Sequence, residues 1–302
     1  MSDVVVCGSL NMDLLSQVER LPLPGETVLG LRYQHSAGGK GLNQAIACAR
    51  MGVPTAMIGA VGDDAHGHAL TGLLRAENVN TTRVRTRAGV TTGLAQVMLA
   101  ASGENSIVVH AGANANLSVE DVAHDLPEAI VYLAQLETPL ETIEAFFAAA
   151  KEAGGCCVLN TAPAVTGSEH LLSLADVLVM NETELACYAG QTSSMNATQI
   201  RRLGPRLLQR PQQALIVTLG AEGALIFTHT NTEFIAATPA TVLDTTGAGD
   251  CFTGVLAASI ALGQVLPEAA RRASRAASIA VSRLGAAASM PRVQELTASD
   301  SH

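Results

Sequence analysis

The sequence predicts an α/β protein: a doubly wound, mainly parallel sheet flanked by helices, with a small β-sheet lid. Three observations point there. Short continuous apolar runs recur along the 302 residues, as strands buried on both faces of a parallel sheet require. Between them lie stretches with the apolar period of a helix, and that alternation reads as βαβ units. Two segments instead alternate apolar and polar residues, which suits a sheet with one face in solvent.

The elements follow in order. Residues 4–8, Val-Val-Val-Cys-Gly, open the main sheet, and similar runs stand at 55–61, 129–136, 156–159, 177–180 and 214–219. A helix is expected over 42–51, closed by Gly52 with Pro54 just beyond, a helix stop with a mechanism. Further helices are expected over 140–152, 200–209 and 252–262. Residues 26–33 and 93–110 carry the half-polar alternation, the second with a turn at Ser102-Gly103-Glu104-Asn105. The lid is therefore expected from two insertions, about 13–35 and 90–110, on a single α/β domain spanning 1–302. A lid that excludes water suits group transfer, because water otherwise competes as acceptor.

Composition narrows the function classes. With 48% hydrophobic and 15% charged residues the chain reads as globular. Aromatics are only 3% and Trp is absent, so the core must rest on Val, Ile, Leu and Ala. A net charge of −9 argues against a nucleic-acid partner. It leaves room for a small anion held by backbone N–H groups at a helix start. The six cysteines show no Cys-x-x-Cys and the eight histidines no metal-ligand spacing, so buried reduced thiols are expected. Residues 1–4 lack a basic n-region, and no apolar run approaches bilayer length. A soluble, cytoplasmic chain with a frayed tail at 298–302 is expected.

The sharpest motif is Asp244-Thr245-Thr246-Gly247-Ala248-Gly249-Asp250, with a helical pattern directly behind it. Gly247 and Gly249, with Ala248 between them, let backbone N–H groups form an anion hole at a helix start. Asp250 then stands where it can take a proton from a hydroxyl nucleophile. The plainer reading is a glycine-rich turn with a first-turn acid. It is neither of the commoner glycine motifs: Phe252 stands where a dinucleotide fingerprint wants Gly, and Lys40 is followed by Gly41, not Ser or Thr.

A second motif, Gly38-Gly39-Lys40-Gly41-Leu42-Asn43-Gln44, opens the helix at 42–51. Asn43 can offer both donor and acceptor to sugar hydroxyls. Lys40 can assist phosphates or simply be solvated. A third, Asn11-x-Asp13, follows the first strand, where open α/β sheets bind ligands; an Asx-turn is its plainer reading. Cys251 could be activated by a helix start or be a small packed side chain. Met51, Met57 and Met98 fit packing.

These motifs come in a recognisable order, with Pro24-Gly25-Glu26-Thr27, His110-Ala111-Gly112-Ala113-Asn114, Leu136-Glu137, Asn181-Glu182-Thr183-Glu184 and Thr218-Leu219-Gly220 between them. From about residue 4 to 291 the chain resembles the ribokinase family of sugar and nucleoside kinases. The resemblance implies a ribokinase-like fold and ATP-dependent phosphorylation of D-ribose at O5. The same family also takes 2-deoxyribose, other sugars or nucleosides, and a non-catalytic sugar- or nucleotide-binding regulator is a reading from another class. By resemblance, Asp250 is the base, with Gly247, Ala248 and Gly249 at the transferring phosphate. Asn11, Asp13, Gly39, Lys40, Asn43 and Glu137 line the sugar site. Asn181, Glu184, Thr218, Gly220, Gly223, Gly249 and Ser274 line the nucleotide site, with Mg2+ accompanying ATP. K+ is expected at Asp244, Thr246, Ala280, Arg283, Gly285 and Ser289, and a homodimer through the lid. Two departures stand out: Ser274 replaces a His or Asn common near the adenine, and Leu284 with Ala286-Ala287-Ala288 makes the cation loop apolar.

Overall fold

The computed structural model describes residues 2–193 and 195–297; the tail expected at 298–302 lies outside them. The strands are β1 (Val4–Cys7), β2 (Asn11–Val18), β3 (Gly30–Gly38), β4 (Thr55–Gly62), β5 (Asn80–Arg87), β6 (Gly93–Ala100), β7 (Asn105–His110), β8 (Val131–Ala134), β9 (Cys156–Asn160), β10 (Val177–Asn181), β11 (Ala214–Thr218), β12 (Gly223–Phe227) and β13 (Thr232–Ala236). The helices are α1 (Lys40–Arg50), α2 (Ala65–Ala76), α3 (Val119–Ala123), α4 (Leu140–Glu152), α5 (Glu182–Tyr188), α6 (Ala197–Leu203), α7 (Ala248–Ala261), α8 (Leu266–Ala280) and α9 (Val293–Thr297).

Among the described residues the strands form two sheets. The larger runs β13-β12-β11-β10-β9-β8-β1-β4-β5 and is parallel from β11 to β5, with an antiparallel β11-β12-β13 edge. The β1 side chains alternate across it. Val4 and Val6 join the core under α1, α7 and α8, while Val5 and Cys7 join the core under α4. Two buried faces explain why β1 and β4 read as unbroken apolar runs. The smaller sheet, β3-β2-β6-β7, is antiparallel except for the β2–β6 pair. Its outer faces leave Leu31, Tyr33, Ile107 and Val109 exposed. Among the described residues no helix is long and apolar enough to cross a membrane.

Several boundaries differ from the sequence reading. The half-polar strand expected at 26–33 is β3, beginning at Gly30, because its partner β2 ends at Val18, which pairs with Gly30. Residues 26–29 have no strand beside them. The helix expected to 209 stops at Leu203, where Gly204-Pro205 turns the chain into a 3₁₀ turn; proline offers no N–H to an α-helix. Helices α1 and α7 begin earlier than expected, at Lys40 and Ala248. Each glycine motif thus runs through the helix cap, Gly39 or Gly247, into the first turn.

Candidate active site

The site grows from the contact between α1 and α7. Gly254 on α7 lies flat against α1: a Cβ there would stand 2.6 Å from both the Ala47 Cβ and the Gln44 carbonyl oxygen. Only glycine permits this approach, and the Cys48 thiol donates to the Gly254 carbonyl across it (3.1 Å). The packing sets the first turns of the two helices side by side. As a result Asn43 Nδ2 donates to Asp250 Oδ2 and Gln44 Nε2 donates to Asp250 Oδ1, both at 2.9 Å. Asp250 itself is 7% exposed. Gly247 caps α7 with φ 76°, a left-handed conformation that turns the chain sharply into the helix.

Two cavities meet at this point. The larger, about 440 Å³, is lined by Thr218, Gly220, Gly223, Ala248, Gly249 and Ser274 together with Val242, Phe252, Ala277 and Val281. The smaller, about 220 Å³, is lined by Lys40, Asn160, Asn181, Glu184, Gly247 and Asp250 among others. Thr218 and Gly249 belong to both, so the start of α7 is the threshold between them. The larger is mostly apolar in lining, and the smaller converges polar groups on Asp250, the arrangement expected of a ligand site.

Charge is concentrated around the starts of α1 and α7. Burial, then the nearby Glu137 and Asp250, push the Asp13 carboxyl up to about 6. Burial likewise raises Glu184, against the pull of the Asn181 N–H and Lys40. Burial alone would lower the Lys40 pKa, but Asp250, Glu137 and Glu184 outweigh it and the pKa rises. Lys40 is half-buried, with its ammonium in the field of these three acids. Its backbone N–H donates to Glu137 Oε2 (3.1 Å), and Ser9 Oγ donates to the same oxygen. Asn114 accepts from the Leu10 N–H (2.9 Å) and donates to Asn11 Oδ1 (2.7 Å), which fixes the Asn11 amide at the head of β2.

Glu184 and Asn181 close a reciprocal cap at the start of α5: Glu184 N donates to Asn181 Oδ1 (2.8 Å), and Asn181 N donates to Glu184 Oε2 (2.9 Å). Behind α7, Asp244 Oδ1 accepts from the Thr246 N–H (2.9 Å) and hydroxyl (2.6 Å), and its Oδ2 accepts from the Gly285 N–H (2.9 Å). Burial raises the Asp244 pKa, but these donors win and hold it below the ordinary carboxylate range.

A family model for pfkB family carbohydrate kinases matches residues 1–293. A ribokinase of Haemophilus influenzae is 35% identical over 300 residues, covering 97% of this chain and 96% of that protein. A deoxyribokinase of Salmonella typhi is 32% identical and covers 97% of each. A solved structure of Arabidopsis thaliana ribokinase complexed with ribose and ATP is 34% identical, with a TM-score of 0.88, covering 98% of this chain and 97% of that one. The chain belongs to the pfkB family of carbohydrate kinases.

Within that family frame, the residues singled out for the nucleotide and the transferring phosphate line the two cavities, whereas Asn11, Asp13, Gly39, Asn43 and Glu137 line neither. Lys40, Asn181, Glu184, Gly247 and Asp250 share the smaller cavity, and Gly220, Gly223, Ala248 and Ser274 share the larger. Asp244, Thr246 and Gly285 are joined by hydrogen bonds. Ala280, Arg283 and Ser289 are held within their own turns: the Ala280 carbonyl accepts from the Arg283 N–H (3.0 Å), and Ser289 Oγ donates to the Ala286 carbonyl (2.8 Å). The idea of a helix-activated thiol at Cys251 is overturned. Cys251 is fully buried, and burial, then Asp250, push its thiol up. Sequence reasoning assigned no role to Gln44, Gln135, Asn160, Ser9 or Asn114. Gln44 and Asn114 lie inside quoted motifs, and Asn160 ends an apolar strand, where ligand-facing residues stand; nothing flagged Gln135 or Ser9.

Proposed function

We propose that this kinase transfers the γ-phosphoryl group of ATP to O5 of D-ribose, giving D-ribose 5-phosphate and ADP. The observation that carries the reading is Asp250: a buried carboxylate at the start of α7, at the junction of an apolar cavity and a polar one. The larger cavity takes the nucleotide, with Thr218, Gly220, Gly223 and Ser274 on its walls. The sugar lies by Asn11, Asp13, Gly39, Lys40, Asn43 and Glu137. Asn43 Oδ1 is buried without a partner, an acceptor suited to a sugar hydroxyl.

In the reaction the O5–phosphorus bond forms as the bond from the γ-phosphorus to the ADP oxygen breaks. The O5 proton passes to Asp250, and the N–H groups of Gly247 and Gly249 hold the transferring oxygens, while the Ala248 N–H between them donates to the Thr245 carbonyl (3.2 Å). Catalysis is positioning and charge neutralisation, with little covalent chemistry for the protein. Glu184 and Asn181 fit a role beside Mg2+, since a buried acid with a raised pKa gains from a nearby cation. When bound, the metal would neutralise charge on the phosphates. Asp244 with the carbonyls of Thr246, Ala280, Arg283 and Gly285 and the Ser289 hydroxyl is an all-oxygen set, which suits a hard cation such as K+. The smaller sheet acts as a lid on the one α/β domain. Its exposed apolar residues, with Leu31 at 65% exposure, favour a homodimer through it.

A second acceptor, 2-deoxyribose, is favoured by the deoxyribokinase relative of similar identity. The test is ADP release from Mg-ATP with D-ribose, 2-deoxyribose, fructose and pseudouridine in parallel, with and without K+. Turnover on ribose, lost in Asp250→Asn, supports the reading. Turnover only on another acceptor overturns the substrate and keeps the chemistry.

A further inference from the structure

We propose that Gln44 is the positioning residue of the Asp250 base, held in one orientation by a polarised chain of amides running from Gln135 through Gln44 to Asn160. The proposal rests on the reading of Asp250 as the base. The chain's direction follows from chemistry. An ionised carboxylate only accepts hydrogen bonds, so the Gln44 Nε2 must face Asp250 Oδ1 (2.9 Å). Its Oε1 then faces Gln135 Nε2, which donates to it at 2.8 Å. The second proton of Gln44 Nε2 goes to Asn160 Oδ1 (2.9 Å). Asn160 Nδ2 in turn donates to the Val179 carbonyl (3.1 Å). Reversing any one amide would set donor against donor or acceptor against acceptor among buried groups.

Gln44 differs from its neighbour in what it leaves open. Asn43 also donates to Asp250, but its Oδ1 is buried with no protein partner. Gln44 is fully buried, and both ends of its amide are engaged within the protein. It can act on the reaction only through the groups it holds, Asp250 and Asn160, both on the wall of the smaller cavity. Three elements contribute: Gln44 from α1, Asn160 from the end of β9, and Gln135 just past β8. The orientation of the base is therefore tied to the main sheet, not to α7 alone. Preorganising a base in this way keeps its free lone pairs aimed at the cavity before substrate arrives.

Gln44→Met keeps length and removes the donor. The expected result is a turnover number for the acceptor sugar about 10–100-fold lower. Dissociation constants for sugar and ADP, read by calorimetry, should stay within about threefold of the parent. A folded variant with turnover within about threefold of the parent overturns the proposal, as does a loss of turnover matched by weaker sugar binding. If Gln44→Met shows no cooperative melt, Gln135→Met decides, since it removes the anchor of Gln44 without touching Asp250. It should lower turnover by about 3–10-fold with binding unchanged, and unchanged turnover overturns the proposal. The parent enzyme is run beside both. Activity on an acceptor other than ribose leaves this proposal standing and moves only the substrate, whereas no activity on any acceptor overturns the base and the amide chain together.

Discussion

Replacing Asp13 by Asn should make the folded chain more stable at neutral pH while weakening its hold on sugar. Burial, Glu137 and Asp250 raise the Asp13 carboxyl from an ordinary 3.8 to about 6. The native state therefore holds this proton more tightly than the unfolded chain does. As pH rises between those two values the native state binds more protons, so stability falls with pH and stays lower above about 6. Held at full strength, the penalty above that range is about 3 kcal/mol. Asp13 is partly exposed, so solvent screening brings the expected gain to about 1–3 kcal/mol. An Asn there carries no charge to desolvate. In a chain of this size the melting temperature should rise by about 2–6 °C at pH 8 without ligand. At pH 4.5 the parent's Asp13 is largely protonated and the gain should shrink to about a third. Ribose binding should weaken by about 10–100-fold, the worth of a hydrogen bond to a charged acceptor. Thermal melts at both pH values and calorimetric titration with ribose provide the readouts. A variant that melts no higher at pH 8, or gains equally at both pH values, refutes the argument that ligand affinity here is held at the expense of stability.

Asp250→Asn should lower turnover by about 10²–10⁴-fold with the melt retained, measured as ADP release. Gly247→Ala should cost about 1–2 kcal/mol in urea denaturation, because its φ is 76° and a Cβ would meet Ala286 at 2.9 Å; turnover should fall further as the N–H groups at the start of α7 shift. The proposed K+ site predicts that KCl stimulates turnover over choline chloride and that Asp244→Asn abolishes this, since one amide cannot accept from both Thr246 and Gly285 as the carboxylate does. A thiol reagent at pH 8 should label the exposed Cys187 first, and should reach the buried Cys7, Cys48, Cys157 and Cys251 only on unfolding.

The central strands and helices were legible because burial on both faces forces an unbroken apolar run, as in Val4–Cys7 and Thr55–Gly62. The edges were not. β5 reads Asn-Thr-Thr-Arg-Val-Arg-Thr-Arg, a polar string with no core pattern, because an edge strand carries charge against unwanted pairing. β2 escaped notice for a related reason. Its Asn11 and Asp13 look like a turn leaving β1, yet β2 pairs with both β3 and β6. Strand pairing between distant segments overrode that local preference.

The site divides along the same line. Glycine motifs and acids at helix starts announce themselves, because backbone approach to an anion demands particular residues at particular spacings. The residues that hold those acids in place do not. Gln135 meets Gln44 across 91 positions and Gln44 meets Asp250 across 206, so no spacing rule links them. What brings them together is helix packing: the flat face of α7 at Gly254 against α1. The local trace is a glutamine among the buried residues at the start of α1. A buried amide must find partners, so Gln44 signals a polar contact in the core, but only the packing of α1 on α7 makes that contact the carboxylate of Asp250.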